Sequence, residues 1–518
     1  MDKITLEFIE QNKKFWPARQ NFNGSFLLDL TLADIEYVNV RLVTARAFMD
    51  LYQAEPIVLI STSKNQKLIE LIKSYGINKL IYLDSIKLNY WTKLLYFVLA
   101  ILNWLPRKTR ASLLKLKFRG NRIGNFVYDT CINSTGWGTV NPWNTRYIKF
   151  LYYAYCLYLR YERIFKQCHP KFYFGVEQAY ISGGIPSAAA IANQLGVFYA
   201  KLGPNRIVYK SYKTIADLDI YPAHPSKDDF VYIMEQQKSQ ALEWANKYLG
   251  NLFSGNVNPA DWNAINAFGK AKLLDQELYN KLFKSGYKYR VFIFPHVTVD
   301  APHGYVNGIF NDYEEWLVET LKIASRRQDV LWILKPHPSE KAYHVEKKVS
   351  DIYHRQFAQY KNIILYPENT STANLVNEID AIVTVRGTAI GEYSSMGIPV
   401  ITAGQNMFEH GNFTILPKDR QDYERVLMAT EFQKLSAEKI DCARISLYLY
   451  LQFNSTPMPL FSDIIFDTSK PAGDQIYSHL LNKLRETKVE DLWSQEFKNY
   501  LNNKFYDGWN QKDNPAAD

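Results

Sequence analysis

Along the chain, short runs of β-branched and aromatic residues alternate with longer stretches whose apolar positions recur at helical spacing. In the first half, Ile57-Val58-Leu59-Ile60 is followed by a helical pattern over 66–74 and then by Leu80-Ile81-Tyr82-Leu83. Farther on, Phe172-Tyr173-Phe174-Gly175-Val176 and Gly196-Val197-Phe198-Tyr199-Ala200 flank Gly183-Gly184 and an Ala-rich helical stretch. This alternation predicts a parallel sheet with crossover helices. From about 217 to 287 the chain turns polar and helical, and a second series of strands then begins at Tyr289-Arg290-Val291-Phe292-Ile293-Phe294. It continues through 330–334, 362–365, 381–385 and 399–401, each separated by helix-like sequence. The pattern predicts an α/β protein of two Rossmann-like domains facing a cleft: an N-terminal one over 1–285 with helical insertions, and a C-terminal one over 286–470. Charged-faced helices over 471–518 end in a polar tail from Gln511 to Asp518.

Length agrees with this division, because 518 residues exceed what one compact core accommodates. At 47% hydrophobic and 22% charged the composition is that of a folded chain. Aromatic residues reach 15%, a supply of rings able to stack on sugar faces. The four cysteines have no metal-ligand spacing, which fits a reducing cytoplasm. The N-terminus lacks the apolar core of a signal peptide. A net charge of +9 is dispersed rather than gathered in a tract, so a nucleic-acid partner is not expected. One stretch changes the picture: Tyr90 to Pro106 is apolar with aromatic ends and is followed by Arg107, Lys108 and Arg110. It reads either as an interfacial helix contacting a membrane peripherally or as a buried helix, being too short to span.

In open parallel sheets ligands bind at the carboxyl ends of strands, so the residues that follow each strand are the candidates. After 330–334 come Lys335-Pro336-His337-Pro338-Ser339, where Lys335 and His337 suit phosphate oxygens and Ser339 suits either a ligand or a helix cap. After 381–385 come Arg386-Gly387-Thr388 and, one turn on, Glu392. The glycine permits close backbone approach, Arg386 adds charge, and Glu392 suits a ribose or sugar hydroxyl. After 289–294 the loop carries His296, Asp300 and His303, which offer acid, base or phosphate contacts; three such donors do not make a metal site, and none is expected. On the N-terminal side Glu177 follows a strand directly, where a carboxylate facing the cleft would sit, and Asp129 is a rival.

These C-terminal motifs resemble those of the capsule polysaccharide biosynthesis family, which is similar to bacterial Kdo transferases of the GT-B fold. The resemblance rests on Lys335-Pro336-His337-Pro338, on Arg386-Gly387-Thr388 with Glu392, and on Gly397-Ile398-Pro399-Val400-Ile401 followed by Ala403-Gly404. It implies a glycosyltransferase at the inner face of the cytoplasmic membrane. The second domain would hold a nucleotide sugar, with His337 and Thr388 at the donor, and the first would hold the glycan or glycolipid acceptor. The product would be capsule, lipopolysaccharide O-antigen or another surface polysaccharide. The donor is a substrate rather than a cofactor: CMP-linked Kdo or a related acidic sugar, or else a UDP- or GDP-linked hexose. Glu177, Asp300, His296 and His303 are the catalytic candidates, with Asp129 beside them. Two other readings use the same fold: a nucleotide-sugar 2-epimerase-like enzyme and a non-catalytic capsule assembly or export protein.

Overall fold

The computed structural model describes residues 3–505 except 33–34, 204–205, 220–223, 258–261, 270–273, 275, 285, 305–307, 369, 430, 463 and 465–471. The polar tail at 511–518 lies outside the described residues. Fourteen strands are present among them: β1 (Ser25–Asp29), β2 (Glu55–Ile60), β3 (Leu80–Tyr82), β4 (Lys117–Phe118), β5 (Asn121–Arg122), β6 (Phe172–Phe174) and β7 (Gly196–Gly203). They continue with β8 (Arg206–Tyr212), β9 (Tyr289–Phe294), β10 (Val330–Leu334), β11 (Ile363–Leu365), β12 (Ala381–Thr384), β13 (Val400–Thr402) and β14 (Thr456–Pro457).

The second sheet runs β11-β10-β9-β12-β13, and all its pairs are parallel. The chain therefore starts at the centre, winds outward one way, and returns to wind outward the other way. The first sheet repeats this in β3-β2-β1-β6-β7 and extends it through β8 and β14, which pair antiparallel. The α/β class with two Rossmann-like sheets is thus present. In such sheets the crevice opens where winding reverses, here between β9 and β12 and between β1 and β6.

Both sheets are sandwiched by helices, which is why their strands read as near-continuous apolar runs. Successive residues point to opposite faces: Val291 and Ile293 join one core, and Phe292 between them joins another. In the first sheet Phe26 and Leu28 pack on one side and Leu27 on the other. The helical interval after residue 217 packs largely against the second sheet: Leu249, Leu252, Leu282 and Phe283 share a cluster with Phe292 and Leu331. The end of the chain goes the other way. Leu480, Trp493, Phe497, Leu501 and Phe505 close the core of the first sheet around Phe48 and Phe172.

The two units meet along the helix Gly124–Thr135. From it Tyr128 donates to Asp312 (2.5 Å), Asp129 faces His303, and Asn133 donates to the Val299 carbonyl (3.3 Å). Asp312 also caps the helix Tyr313–Arg326 by accepting from the Glu315 amide, and Thr139 donates to the same carboxylate. One buried aspartate thus ends a helix and joins the units.

Candidate functional site

On the second sheet, three strand ends converge at the crevice. His296 follows β9 and His337 follows β10, and their rings lie 5.3 Å apart. The His337 Nδ1 accepts the Ser339 backbone N–H (3.1 Å), which makes the ring a neutral imidazole with its proton on Nε2. Burial, with His296 and Lys335 nearby, pushes its pKa down to about 3, so it presents a hydrogen-bond donor without a charge. Lys335 donates to Thr372 (3.3 Å) and lies over the rings of Phe294 and Tyr366; burial lowers its pKa to about 8. Arg386 follows β12 and acts electrostatically on His296, whose pKa is lowered first by burial, with Asp300 opposing and Arg386 adding to the fall.

The remaining second-sheet candidates frame this centre. Gly387 adopts φ +124°, a conformation that side chains resist, and a Cβ there would meet open space, so backbone geometry explains the glycine. Thr388 precedes the helix Ala389–Ser394, and Pro338 is half-buried beside His337. Ser339 makes no side-chain cap for the 3-10 turn it precedes, its amide being given to His337. Glu392 is only 4% exposed and accepts from Tyr248 (3.3 Å), which sets it beneath the crevice floor.

Across the crevice, Glu177 follows β6 at the point where the first sheet reverses. Burial raises its carboxyl pKa to about 7, with Asp300 pushing the same way and Arg41 and Lys201 opposing. Its backbone is held by a tight approach: a Cβ on Gly183 would stand 1.8 Å from the Glu177 carbonyl oxygen. Asp300, from the facing unit, accepts from Tyr180 (3.2 Å) and has His296 Nδ1 at 3.8 Å, and the Tyr343 hydroxyl lies against it. Tyr180 (φ 60°) and Ala301 (φ 40°) are both left-handed, so backbone strain collects on either side of Asp300.

His303 and Asp129 stand apart from this group. The His303 Nδ1 lies 2.6 Å from Asp129, its amide donates to the same carboxylate (3.1 Å), and its Nε2 meets the Asn311 carbonyl. Both ring nitrogens are therefore engaged, Nδ1 in joining the units and Nε2 within the second. A third cluster, His224, Glu409 and His410, holds its potential ligand atoms within 4.8 Å of one another and includes none of the residues above.

Sequence patterns did not disclose Arg41, which sits in the helix Ile35–Tyr52 that follows β1. It is 2% exposed, stacks on Tyr37 at 5.4 Å, and its Nε and Nη1 have no hydrogen-bond partner among the described residues. A cation buried that way is costly unless a counter-anion arrives. Tyr180, Tyr343 and Asn133 were also missed, because each reaches Asp300 or its neighbours from a turn or helix rather than from a strand end.

Residues 219–435, which contain the whole second sheet, match the model of the family described as capsule polysaccharide biosynthesis protein. No curated protein matches the chain. Among solved structures it is similar to the KpsC beta Kdo 2,4 transferase of Thermosulfurimonas dismutans at 12% identity and a TM-score of 0.35, over 60% of this chain and 87% of that one. It is also similar to S. aureus MnaA bound to UDP, at 11% identity, a TM-score of 0.28 and coverage of 83% and 97%. A third likeness is to the UDP-GlcNAc 2-epimerase of Neisseria meningitidis, at 8% identity, a TM-score of 0.23 and coverage of 89% and 99%. The family match thus falls on the second unit and leaves the first sheet outside it.

Proposed function

We propose that the protein is a glycosyltransferase that moves a sugar from a nucleotide donor to a growing surface glycan or glycolipid. The observation that carries this reading is the pairing of unlike groups across one crevice. Lys335, Arg386 and the Nε2–H of His337 gather on one side, and Glu177, with a pKa of about 7, stands on the other. Cations and a neutral donor suit the phosphate on which negative charge accumulates as the sugar departs. A carboxyl poised near neutrality suits removal of a proton from an attacking hydroxyl. In the proposed step the acceptor oxygen forms a bond to the anomeric carbon as the bond from that carbon to phosphate oxygen breaks. The electron pair leaves on the nucleotide, and the acceptor proton passes to Glu177.

CMP-linked Kdo, or a related acidic sugar, is the donor we favour. Arg41, buried close enough to Glu177 to pull its pKa down, suits a carboxylate or phosphate on the sugar or the acceptor. Contact with the inner face of the membrane belongs to the same proposal, as it would bring the site to a glycolipid acceptor. An epimerase-like activity is the second reading, and it differs in yielding product without acceptor.

The test is a thermal-shift series with CMP, UDP, GDP and their sugar conjugates, followed by transfer assays with the nucleotide that binds. Stabilisation by CMP that disappears in His337→Ala supports the donor assignment. Stabilisation by UDP with sugar conversion in the absence of acceptor would replace the transferase by the epimerase. Silence toward every nucleotide would favour a non-catalytic assembly role.

A further inference from the structure

The helix Tyr90–Trp104 buries only Ala100 and Trp104. Trp91 is 74% exposed, and Leu94, Leu95, Phe97, Val98, Leu102 and Leu105 are exposed with it. Positions 91, 95, 98, 102 and 105 recur at spacings of four and three, so they form one stripe along one face of the helix. Single exposed apolar residues are ordinary on a protein surface, but a contiguous stripe signals something that covers it. At 15 residues, and about 1.5 Å per residue, the helix is shorter than a bilayer core, and no described helix is long and apolar enough to cross a membrane. A helix of this kind lies in the interface.

Beside the stripe lies an open cavity of about 480 Å³, lined by Lys93 of this helix and by residues of the helix Arg146–Cys168 packed against it. Its wall includes Lys93, Lys149, Arg160, Tyr152, Tyr153 and Leu157, and no carboxylate among the described residues lines it. Tyr152 packs edge-on against Phe97 of the exposed helix at 5.7 Å, so the cavity and the stripe share a wall. The Arg160 Nε is buried and has no hydrogen-bond partner among the described residues. Lys93 and Arg160 both act on the buried Cys156 thiol, opposing the larger upward push of burial, which puts the two cations around one point. At the helix's far end Lys108 stands over the rings of Trp104 (4.6 Å) and the exposed Trp143 (4.1 Å).

We infer that the helix Tyr90–Trp104 lies in the surface of an anionic bilayer and that the Lys93–Lys149–Arg160 cavity takes the phosphate of a phospholipid headgroup. The inference deepens the membrane contact proposed above and is independent of the transfer chemistry. Three cations without a carboxylate match an anionic headgroup, and the apolar stripe alongside matches its acyl chains. A soluble phosphate would need the cations but would give the stripe nothing to cover it.

The test is co-sedimentation of the full chain with vesicles of phosphatidylcholine alone and of phosphatidylcholine mixed with phosphatidylglycerol. Wild type is expected to sediment with the mixed vesicles. Lys149→Ala with Arg160→Gln is expected to weaken that binding about tenfold, while Lys418→Ala with Lys439→Ala, an equal loss of charge on the second unit, leaves it unchanged. Trp91→Ser with Leu95→Ser is expected to abolish it, with circular dichroism and thermal midpoint reporting that each variant is folded. A folded cavity variant that binds mixed vesicles like wild type overturns the headgroup site and leaves the membrane contact standing. Wild type that sediments with neither vesicle overturns both.

Discussion

His303 and His296 belong to the same loop after β9, and each faces an aspartate, yet their surroundings differ. His303 has both ring nitrogens engaged, 2.6 Å from buried Asp129 on one side and against a backbone carbonyl on the other. His296 stands 3.8 Å from Asp300, with its Nδ1 buried and without a hydrogen-bond partner among the described residues. One pair is closed and holds two units together; the other is open and faces the crevice. Residue type and spacing describe the two pairs equally well, so only geometry separates a clamp from a site. The same contrast recurs in the carboxylates. Asp129 is saturated by His303, whereas Glu177 is left in a dry setting that lifts its pKa to about 7.

The largest effect that would sharpen this contrast is on the open side. Glu177→Gln should lower the transfer rate by about 10²–10⁴-fold with donor binding intact, measured by single-turnover transfer and by nucleotide titration. A variant that keeps its rate would remove Glu177 from the chemistry. In wild type the rate should climb with pH through about 7 as the carboxyl loses its proton, and the pH profile reads this directly.

On the closed side, His303→Ala should cost about 3–5 kcal/mol of stability, because it strands the Asp129 carboxylate in the interior. Urea denaturation measures it. His296→Ala should change stability by less than about 1 kcal/mol while reducing transfer. Equal destabilisation by both substitutions would erase the distinction drawn here.

The pairs should also respond to pH with opposite signs. Burial lowers the His303 pKa, but Asp129 and the Asn311 carbonyl more than reverse this, so its folded value is raised above the ordinary 6.5. Its contribution is full below 6.5 and is lost as pH rises through the folded value. His296 and His337 are held neutral, with folded values below 6.5, so the unfolded chain takes up protons first and stability falls as pH drops below 6.5. Each should contribute a slope of about 1.4 kcal/mol per pH unit. Unfolding midpoints between pH 5 and 6.5 should therefore flatten in His337→Gln, whereas His303→Ala should remove a fall that begins above pH 6.5 and leave the slope below it unchanged. Tyr128→Phe should cost about 1 kcal/mol, since it removes the hydrogen bond to Asp312 and the one accepted from the Val140 amide in a clamp that keeps Thr139.

Much of the fold was legible because parallel strands buried on both faces stand out as short apolar runs; β2, β9, β10 and β12 fall on or within a residue or two of the runs read from the sequence. β1 did not stand out, since Ser25-Phe26-Leu27-Leu28-Asp29 is a short segment whose partners are far away in the chain. β8 and β14 pair antiparallel at the sheet's edge, where polar residues interrupt the pattern. The stretch over 90–106, read either as interfacial or as buried, forms a helix whose apolar face is exposed. Strand-end logic found the loops that converge, because topology fixes where they go. It could not find Arg41, whose importance comes from what fails to surround it, nor distinguish His303 from His296, since the partners of each are distant in sequence.

The return of the chain's end to the first sheet has a consequence for how the protein is made. Phe48 and Phe172 pack against Phe505, and Trp16 stacks near Trp493, so the core of the first sheet is sealed by residues that follow the whole second sheet along the chain. While the second sheet emerges and closes on its own neighbours, the first must wait with aromatic surface uncovered, a state open to aggregation or chaperone capture. Biosynthesis thus completes the second sheet before the first, although the strands of the first are made earlier.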